Sequence, residues 1–137
     1  MKIIALHGAS NVGKSTCLNI VFESLAPIAA SFSPKVVLGD PVHRDFESVI
    51  TFHSGVTLAF FTMGDYSVYL TEAINKYEAI GVDVLIVALN DRFVKPRTLI
   101  SSFPDHHFVL KSRLSSGTEK DIALDNLKTS QAIISLL

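Results

Sequence analysis

Residues 8–16 combine residue types and spacing that carry the most specific chemistry in this sequence. They begin Gly-Ala-Ser-Asn-Val-Gly-Lys-Ser, which matches the phosphate-binding pattern G-x-x-x-x-G-K-[ST]. Gly8 and Gly13 permit backbone angles and close approaches that a Cβ would block, so the N–H groups of the loop can point inward at an anion. The residues predicted to contact the phosphates of a nucleotide are Gly8, Ala9, Ser10, Asn11, Val12, Gly13, Lys14, Ser15 and Thr16.

Three side chains of this loop have separate expected roles. Lys14 would supply a compact positive charge to the β- and γ-phosphates, and we predict it as a catalytic residue. The Ser15 hydroxyl is placed to bind a Mg²⁺ ion that bridges the same phosphates, and Thr16 follows in line for an α-phosphate oxygen. The alternative interpretation is an ordinary glycine turn that opens a helix and carries an exposed lysine.

The elements on either side of the loop fit a phosphate site. Residues 3–6 form a short apolar run, which is typical of a strand buried on both faces of a parallel sheet. Residues 13–25 repeat apolar side chains at helical spacing, which predicts an amphipathic helix that begins at the loop. The N-terminal end of that helix would add its positive dipole to the site.

The rest of the chain alternates between strand-like and helix-like patterns. We predict strands at residues 46–53, 56–62, 82–89 and 106–110, and helices at residues 67–80, 97–103 and 117–137. Ser54-Gly55 is predicted to connect the first two of these strands as a hairpin. Residues 31–45 and 90–96 are predicted as loops, and residues 36–38 could form either a short strand or a turn within the first loop. The order indicates one α/β domain over residues 1–137, with a mostly parallel sheet of about five strands, one β-hairpin and helices on both faces.

The loop motif and the order of elements together resemble the P-loop NTPase superfamily. The resemblance implies a three-layer fold that binds a nucleoside triphosphate with Mg²⁺. The strand that leads into Thr62-Met63-Gly64-Asp65 also resembles part of a Ras-like domain, in which the strand ends in D-x-x-G. Here Phe61 stands where that Asp would be, and the carboxylate follows the glycine as Asp65. The same segment, with a later strand ending Val-Ala-Leu-Asn, is similar to small ATP-binding P-loop proteins.

A phosphate site of this kind needs a carboxylate from a neighbouring strand. Asp65 is the first candidate, because it follows an apolar strand and open α/β sheets bind ligands beyond the carboxyl ends of their strands. We predict it as a catalytic residue and as a ligand of Mg²⁺, which it would bind directly or through water. The alternative role for Asp65 is the N-cap of the helix that starts near Ser67. Asp40 is a weaker metal candidate, for which an ordinary Gly-Asp-Pro turn is the favoured alternative.

The segment Asn90-Asp91-Arg92-Phe93 bears on the identity of the nucleotide. A GTPase carries Asn-Lys-x-Asp after the corresponding strand, and only Asn90 matches that pattern. ATP is therefore favoured over GTP by elimination. Arg92 is predicted to contact the nucleotide, through the phosphates or by stacking on the base, and Arg97 is a second candidate; the alternative for each is a solvated loop arginine.

Composition limits the class of protein and of partner. The chain has 137 residues, 48% of them hydrophobic and 18% charged, and a formal net charge of −1. No basic, aromatic surface for nucleic acid is apparent. The single cysteine, Cys17, excludes an intrachain disulfide. We find no signal peptide and no apolar run of about 20 residues, and we therefore expect a cytoplasmic protein without a membrane anchor.

Three kinds of activity remain open at this point. The first is Mg²⁺-dependent ATP binding and hydrolysis, and the second is phosphotransfer to a small molecule or nucleotide. The second is weakened because only residues 31–44 and 90–104 leave room for a lid or acceptor site. The third is a nucleotide-dependent switch or assembly module with little turnover. The phosphoryl acceptor, any protein partner and the oligomeric state are left open by the sequence.

Overall fold

The computed structural model describes residues 1–113 and 117–137 as an α/β structure. Its described part contains seven strands and four α-helices. The strands are β1 (Lys2–Gly8), β2 (Ser31–Phe32), β3 (Val36–Val37), β4 (Phe46–Thr51), β5 (Thr57–Phe61), β6 (Val84–Asn90) and β7 (His106–Leu110). The helices are α1 (Lys14–Leu25), α2 (Ser67–Ile80), α3 (Val94–Ser101) and α4 (Glu119–Ile134), and 3₁₀ turns occur at Ala26–Ile28 and Pro41–His43.

All described strands belong to one sheet, in the order β2-β4-β5-β6-β1-β7, and β3 also pairs with β4. The neighbouring strands β5, β6, β1 and β7 are parallel to one another. Strand β4 is antiparallel to β5, and the short strands β2 and β3 are antiparallel to β4. The carboxyl ends of the four parallel strands therefore meet at one edge of the sheet, together with the amino end of β4.

This topology corrects two expectations. The sheet has seven described strands where about five were expected, because residues 31–37, expected mainly as a loop, contribute β2 and β3 to the outer edge of β4. The sheet is also mixed, where a mostly parallel one was expected. The hairpin reverses the chain at β4, and each strand that then pairs with β4 is antiparallel to it.

The alternation of side chains in β1 divides the core between the two faces of the sheet. Ile4 and Leu6 belong to a buried cluster with apolar residues of α1 and α4. Ile3 and Ala5 belong to a second cluster with residues of α2 and α3. These strand side chains are fully buried, as expected for a strand covered on both faces. The sheet thus holds β1, and the loop that follows it, between two apolar layers.

Helix α2 has the predicted bounds and α1 begins one residue later than expected, whereas α4 is shorter at both ends than the predicted 117–137 and α3 begins earlier than predicted. This helix begins at Val94 and not at Arg97, so Pro96 lies inside its first turn. Proline is tolerated there because the first N–H groups of a helix have no partner within the helix. Strand β6 also extends to Asn90, which leaves residues 91–93 as the connection. None of the described helices is long and apolar enough to cross a membrane.

Candidate functional site

The loop between β1 and α1 has the backbone shape that its two glycines allow. Asn11 and Gly13 both adopt left-handed conformations, with φ of 58° and 102°. Gly13 is the N-cap of α1, no side chain caps this helix, and its first turn has no acidic residue. None of the hydrogen bonds described for the backbone is donated by the N–H groups of Lys14, Ser15 or Thr16. The positive end of α1 therefore presents free donors to an anion.

Two glycines allow close packing of the segments that frame the site. A Cβ at Gly8 would collide with the carbonyl oxygen of Lys111, which follows β7. A Cβ at Gly64, after β5, would collide with the backbone of Ala88 in β6. Both segments thus approach their neighbouring strands more closely than any other residue would permit.

Lys14 is held inside the loop by main-chain oxygens. Its side-chain amine donates to the carbonyl of Ala9 at 2.5 Å and to that of Gly8 at 3.2 Å. The residue is only 7% exposed. Burial lowers the pKa of Lys14, and the carboxylates of Asp65, Asp91 and Asp45 oppose that shift. A positive charge in this position is poorly solvated, which favours an anionic ligand beside it.

Asp45 is a site residue that the sequence analysis missed. The hydroxyl of Ser15 donates to its Oδ1, and the hydroxyl of Thr62 donates to the same atom at 3.2 Å. Burial raises the pKa of Asp45; the two hydroxyls and His43 act in the opposite direction, while the nearby carboxylate of Asp65 adds to the rise. Asp45 therefore joins the hydroxyl predicted to bind Mg²⁺ to the end of β5.

Asp65 reaches the same site from the other strand of the hairpin. The Asn90 amide nitrogen donates to Asp65 Oδ1 at 3.1 Å and to the Ser10 hydroxyl at 2.8 Å. Asn90 is buried at the end of β6, whereas Asp65 is exposed. The N-cap of α2 is Tyr66, with no side-chain cap, so the alternative role of Asp65 as helix cap is not realised. Asn90, considered above only for guanine recognition, links the loop to this acid.

Lys14, Ser15 and both acids line one cavity of about 310 Å³, which we call the phosphate cavity. Its walls are mainly polar, and two further side chains border it that the sequence analysis did not single out, His43 and the cationic Arg44. The complete lining is Asn11, Gly13, Lys14, Ser15, Thr16, Val42, His43, Arg44, Asp45, Thr62, Gly64 and Asp65. The cavity thus brings the loop, one buried acid and one exposed acid around one space.

Two predicted residues lie elsewhere. Asp40 is exposed and accepts a hydrogen bond from the backbone of Val42 at 3.0 Å, as the cap of the 3₁₀ turn Pro41–His43. Arg92 packs over the ring of Phe93, 5.3 Å from its centroid, and lines a separate groove that also borders Asp65.

Arg97, the second arginine considered, also lies away from the loop. Its guanidinium donates to Asp91 at 2.9 Å, and the same carboxylate oxygen lies 2.7 Å from a ring nitrogen of His7. Its guanidinium also packs over the ring of Phe108, 5.0 Å from the centroid. Neither Arg97 nor Arg92 lines the phosphate cavity.

The oxygen groups of the phosphate cavity suit a hard cation that also binds a ligand. Among residues 1–113 and 117–137, no three His, Cys, Asp or Glu side chains gather as a metal cluster. Mg²⁺ does not require one, since it keeps several waters and binds through one or two carboxylates together with substrate phosphates. The Ser15 hydroxyl and the carboxylates of Asp45 and Asp65 fit that pattern.

Comparison with known proteins finds no relative of this chain. No protein-family model matches the chain, and searches of the curated proteins and of the solved structures give no match.

Proposed function

We propose that this chain is a P-loop nucleotide-binding protein, with the three-layer fold of that superfamily, that binds and hydrolyses a Mg²⁺-nucleoside triphosphate, with ATP preferred. The observation that carries the proposal is the presence of two buried groups of opposite charge at one cavity. Lys14 is 7% exposed and Asp45 is 9% exposed. Burial lowers the pKa of Lys14 and raises that of Asp45, so that it disfavours the charged form of each residue. A ligand that presents both an anion and a cation would favour the charged form of both residues.

The loop is suited to hold the triphosphate. The free N–H groups at the start of α1 would bind phosphate oxygens. Lys14 would exchange its contacts with the carbonyls of Gly8 and Ala9 for β- and γ-phosphate oxygens. Ser15 would bind the metal, with Asp45 holding that hydroxyl or a metal-bound water. When bound, Mg²⁺ would neutralise part of the charge on the phosphates.

The exposed acid, Asp65, would act on the attacking water. Asp65 would accept a hydrogen bond from that water while Asn90 keeps the carboxylate in position. In hydrolysis the water oxygen forms a bond to the γ-phosphorus, and the bond from that phosphorus to the bridging oxygen breaks. The products are a nucleoside diphosphate and inorganic phosphate, and the proton of the water passes to Asp65 or to the phosphate. Arg44 would offset negative charge as it develops.

Phosphotransfer is a second candidate, favoured by one specific observation. Asp65 borders both the phosphate cavity and the groove that contains Arg92. That groove has a volume of about 580 Å³ and aromatic walls that include Tyr66 and Tyr69. A hydroxyl group of an acceptor bound there would lie beside Asp65 in the place of the attacking water.

The proposal is tested by calorimetry with ATP and GTP, with and without Mg²⁺, on the wild-type protein and on Lys14→Ala. The change Lys128→Ala is the matched control, because Lys128 is exposed on α4, away from the cavity. We expect Mg²⁺-dependent binding of ATP that Lys14→Ala abolishes and the control retains. Near-normal binding by Lys14→Ala would contradict the proposal.

Phosphate release in the same samples separates the two activities. Steady release with ATP alone indicates hydrolysis. Formation of nucleoside diphosphate that needs an added acceptor, with no matching release of inorganic phosphate, indicates phosphotransfer instead, because the phosphoryl group is then bonded to the acceptor.

A further inference from the structure

Residues 35–45, which carry Asp45 into the phosphate cavity, are tied to helix α1 by one buried amide. Asn19 lies on α1 and is only 4% exposed. Its side-chain nitrogen donates to the carbonyl of Ser15 at 2.8 Å and to the carbonyl of Arg44 at 3.0 Å. One side chain thus joins the first turn of α1, which bears the hydroxyl predicted to bind Mg²⁺, to the residue before Asp45.

Lys35, which directly precedes β3, completes the contacts of this amide. Its amine donates to the side-chain oxygen of Asn19 at 2.7 Å and lies 3.5 Å from a carboxylate oxygen of Glu23. The same amine lies over two aromatic rings, 4.8 Å from the centroid of Phe22 and 4.7 Å from that of Phe46. The amide of Asn19 therefore has partners for its nitrogen and for its oxygen, which fixes its orientation.

The backbone at Arg44 has a conformation that needs support. Arg44 is left-handed, with φ of 59°, which is unfavourable for a residue with a Cβ. It ends the 3₁₀ turn Pro41–His43 and directs the chain towards Asp45 and β4. Such conformations persist where the surrounding structure holds them. The hydrogen bond from Asn19 to the Arg44 carbonyl is a constraint of this kind, applied directly before the buried acid.

We propose that Asn19 is a positioning residue, which fixes the Asp45 carboxylate relative to the Ser15 hydroxyl. Lys35 supports it by holding the amide in one orientation. The inference rests on the proposed function, in which Asp45 holds the metal. Asn19 lines no part of the phosphate cavity, so it acts through its neighbours and touches neither the metal nor the phosphates. Its loss should weaken the Mg²⁺-dependent part of ATP binding and spare the part that is due to the phosphate loop.

The test measures ATP affinity by calorimetry with and without Mg²⁺. Asn19→Leu removes the amide with little change in volume and none in charge; Gln131→Leu is the matched control, since Gln131 is an exposed amide on α4 that does not line the cavity. We expect Asn19→Leu to lower the Mg²⁺-dependent affinity about 10-fold, as when a group that orients a metal ligand is lost. Affinity without Mg²⁺ should change little. Equal losses with and without Mg²⁺ would indicate a merely structural role and overturn the inference.

A double variant shows whether Asn19 acts through Asp45. In Asp45→Asn the charge that holds the metal is already absent, so adding Asn19→Leu should cause no further loss of Mg²⁺-dependent affinity. Losses that add in the double variant would overturn the inference, because sites that act independently give additive effects.

Lys35→Met tests the same arrangement without altering a fully buried residue. Lys35 has a side chain that is 30% exposed, and methionine keeps an apolar stem beside the two rings while the amine is lost. We expect a loss of Mg²⁺-dependent affinity in the same direction as for Asn19→Leu. Wild-type Mg²⁺-dependent affinity in both variants would overturn the inference.

Amide hydrogen exchange of the ligand-free protein separates this inference from the proposed function. Because Asn19 holds residues 35–45, their amides should exchange faster in Asn19→Leu than in the wild-type protein or in Gln131→Leu. Unchanged exchange in that segment would overturn the inference. Failure of the wild-type protein to bind Mg²⁺-ATP in a Lys14-dependent way would instead overturn the proposed function, and the exchange rates would still decide whether Asn19 holds the segment.

Discussion

Two acids reach the phosphate cavity from opposite strands of one hairpin. Asp45 comes just before β4, and Asp65 comes shortly after β5. Because the two strands are antiparallel, the start of one lies beside the end of the other; the backbone of Thr62 donates to Phe46 at 3.0 Å. Asp45 is buried and accepts from two hydroxyls, whereas Asp65 is exposed and accepts from one amide.

The difference in surroundings indicates a division of roles. A buried carboxylate fixed against the Ser15 hydroxyl suits a metal position, in which geometry must be held. An exposed carboxylate beside the cavity suits a group that acts on a water molecule. With this division of roles, replacing each acid by its amide should lower a different quantity: turnover for Asp65 and Mg²⁺-dependent binding for Asp45.

Among changes to the acids, the largest effect is expected for Asp65→Asn on turnover. Loss of the carboxylate removes the group that orients the attacking water, and we expect phosphate release to fall about 100-fold. The affinity for Mg²⁺-ATP should change by no more than a few-fold, because Ser15 and Asp45 remain. Single-turnover phosphate release and calorimetry measure the two quantities, with Glu78→Gln on the exposed side of α2 as the control. Unchanged turnover would move the role to another residue.

The next effect is expected for Asp45→Asn, in binding more than in turnover. The amide oxygen can still accept from Ser15 and Thr62, but the charge that holds the metal is lost. We expect the Mg²⁺-dependent part of the ATP affinity to fall about 10-fold or more, as when a supporting ligand of a metal site is removed. Affinity measured without Mg²⁺ should change little. A loss of the same size in the absence of Mg²⁺ would contradict the metal role.

The position of Asp45 shows where the sequence was informative and where it was not. Residues 8–16 could be predicted because their shape depends on local chemistry: two glycines, a strand before them and a helix after them. Asp65 could be predicted because it follows a strand. Asp45 could not be predicted in this way. It precedes an antiparallel strand, and candidate acids were expected only after the carboxyl ends of strands. Its contacts to Ser15 and Thr62 span 30 and 17 residues, and no local pattern encodes them.

The short edge strands were difficult for the same reason. Strands β2 and β3 have two residues each, and they are held by pairing with β4 and not by a pattern of their own. Position after a strand was also too coarse a guide for Arg92, because a difference of two residues at the end of β6 places the two side chains on different surfaces. Asn90 lies beside the phosphate loop, whereas Arg92 lines the neighbouring groove.

A smaller effect of Asp45→Asn is expected on the pH dependence of stability. Burial raises the pKa of Asp45 in the folded protein above its ordinary value of 3.8. As pH rises from 3.8 through that raised pKa, the folded state gains a buried charge and loses stability relative to the unfolded chain. Asp45→Asn lacks this charge, so the free variant should melt at a higher temperature than the wild-type protein near neutral pH.

The same linkage predicts how the difference in melting temperature between Asp45→Asn and the wild-type protein changes at acid pH. Below pH 3.8 the carboxyl is protonated in both states, so the difference in melting temperature should disappear. Mg²⁺-dependent binding by the wild-type protein should weaken as pH falls through the raised pKa, because a protonated Asp45 no longer attracts the metal. Thermal melts of both proteins over a pH series measure the first effect. A constant difference at all pH values would show that the charge is not its cause.

The smallest effect is expected five residues earlier, at Asp40. This acid is exposed and caps a 3₁₀ turn through Val42, so Asp40→Ala should remove one hydrogen bond at the surface. We expect a loss of about 0.5 kcal/mol in the free energy of unfolding, the lower end of the range for helix caps. Mg²⁺-dependent affinity for ATP should stay within about two-fold, since screened surface charges contribute little. If Asp40→Ala weakened Mg²⁺-dependent binding as much as Asp45→Asn does, the segment from Asp40 to Asp45 would have to close over the phosphates as a unit, with Asp40 brought to the metal by the bound ligand.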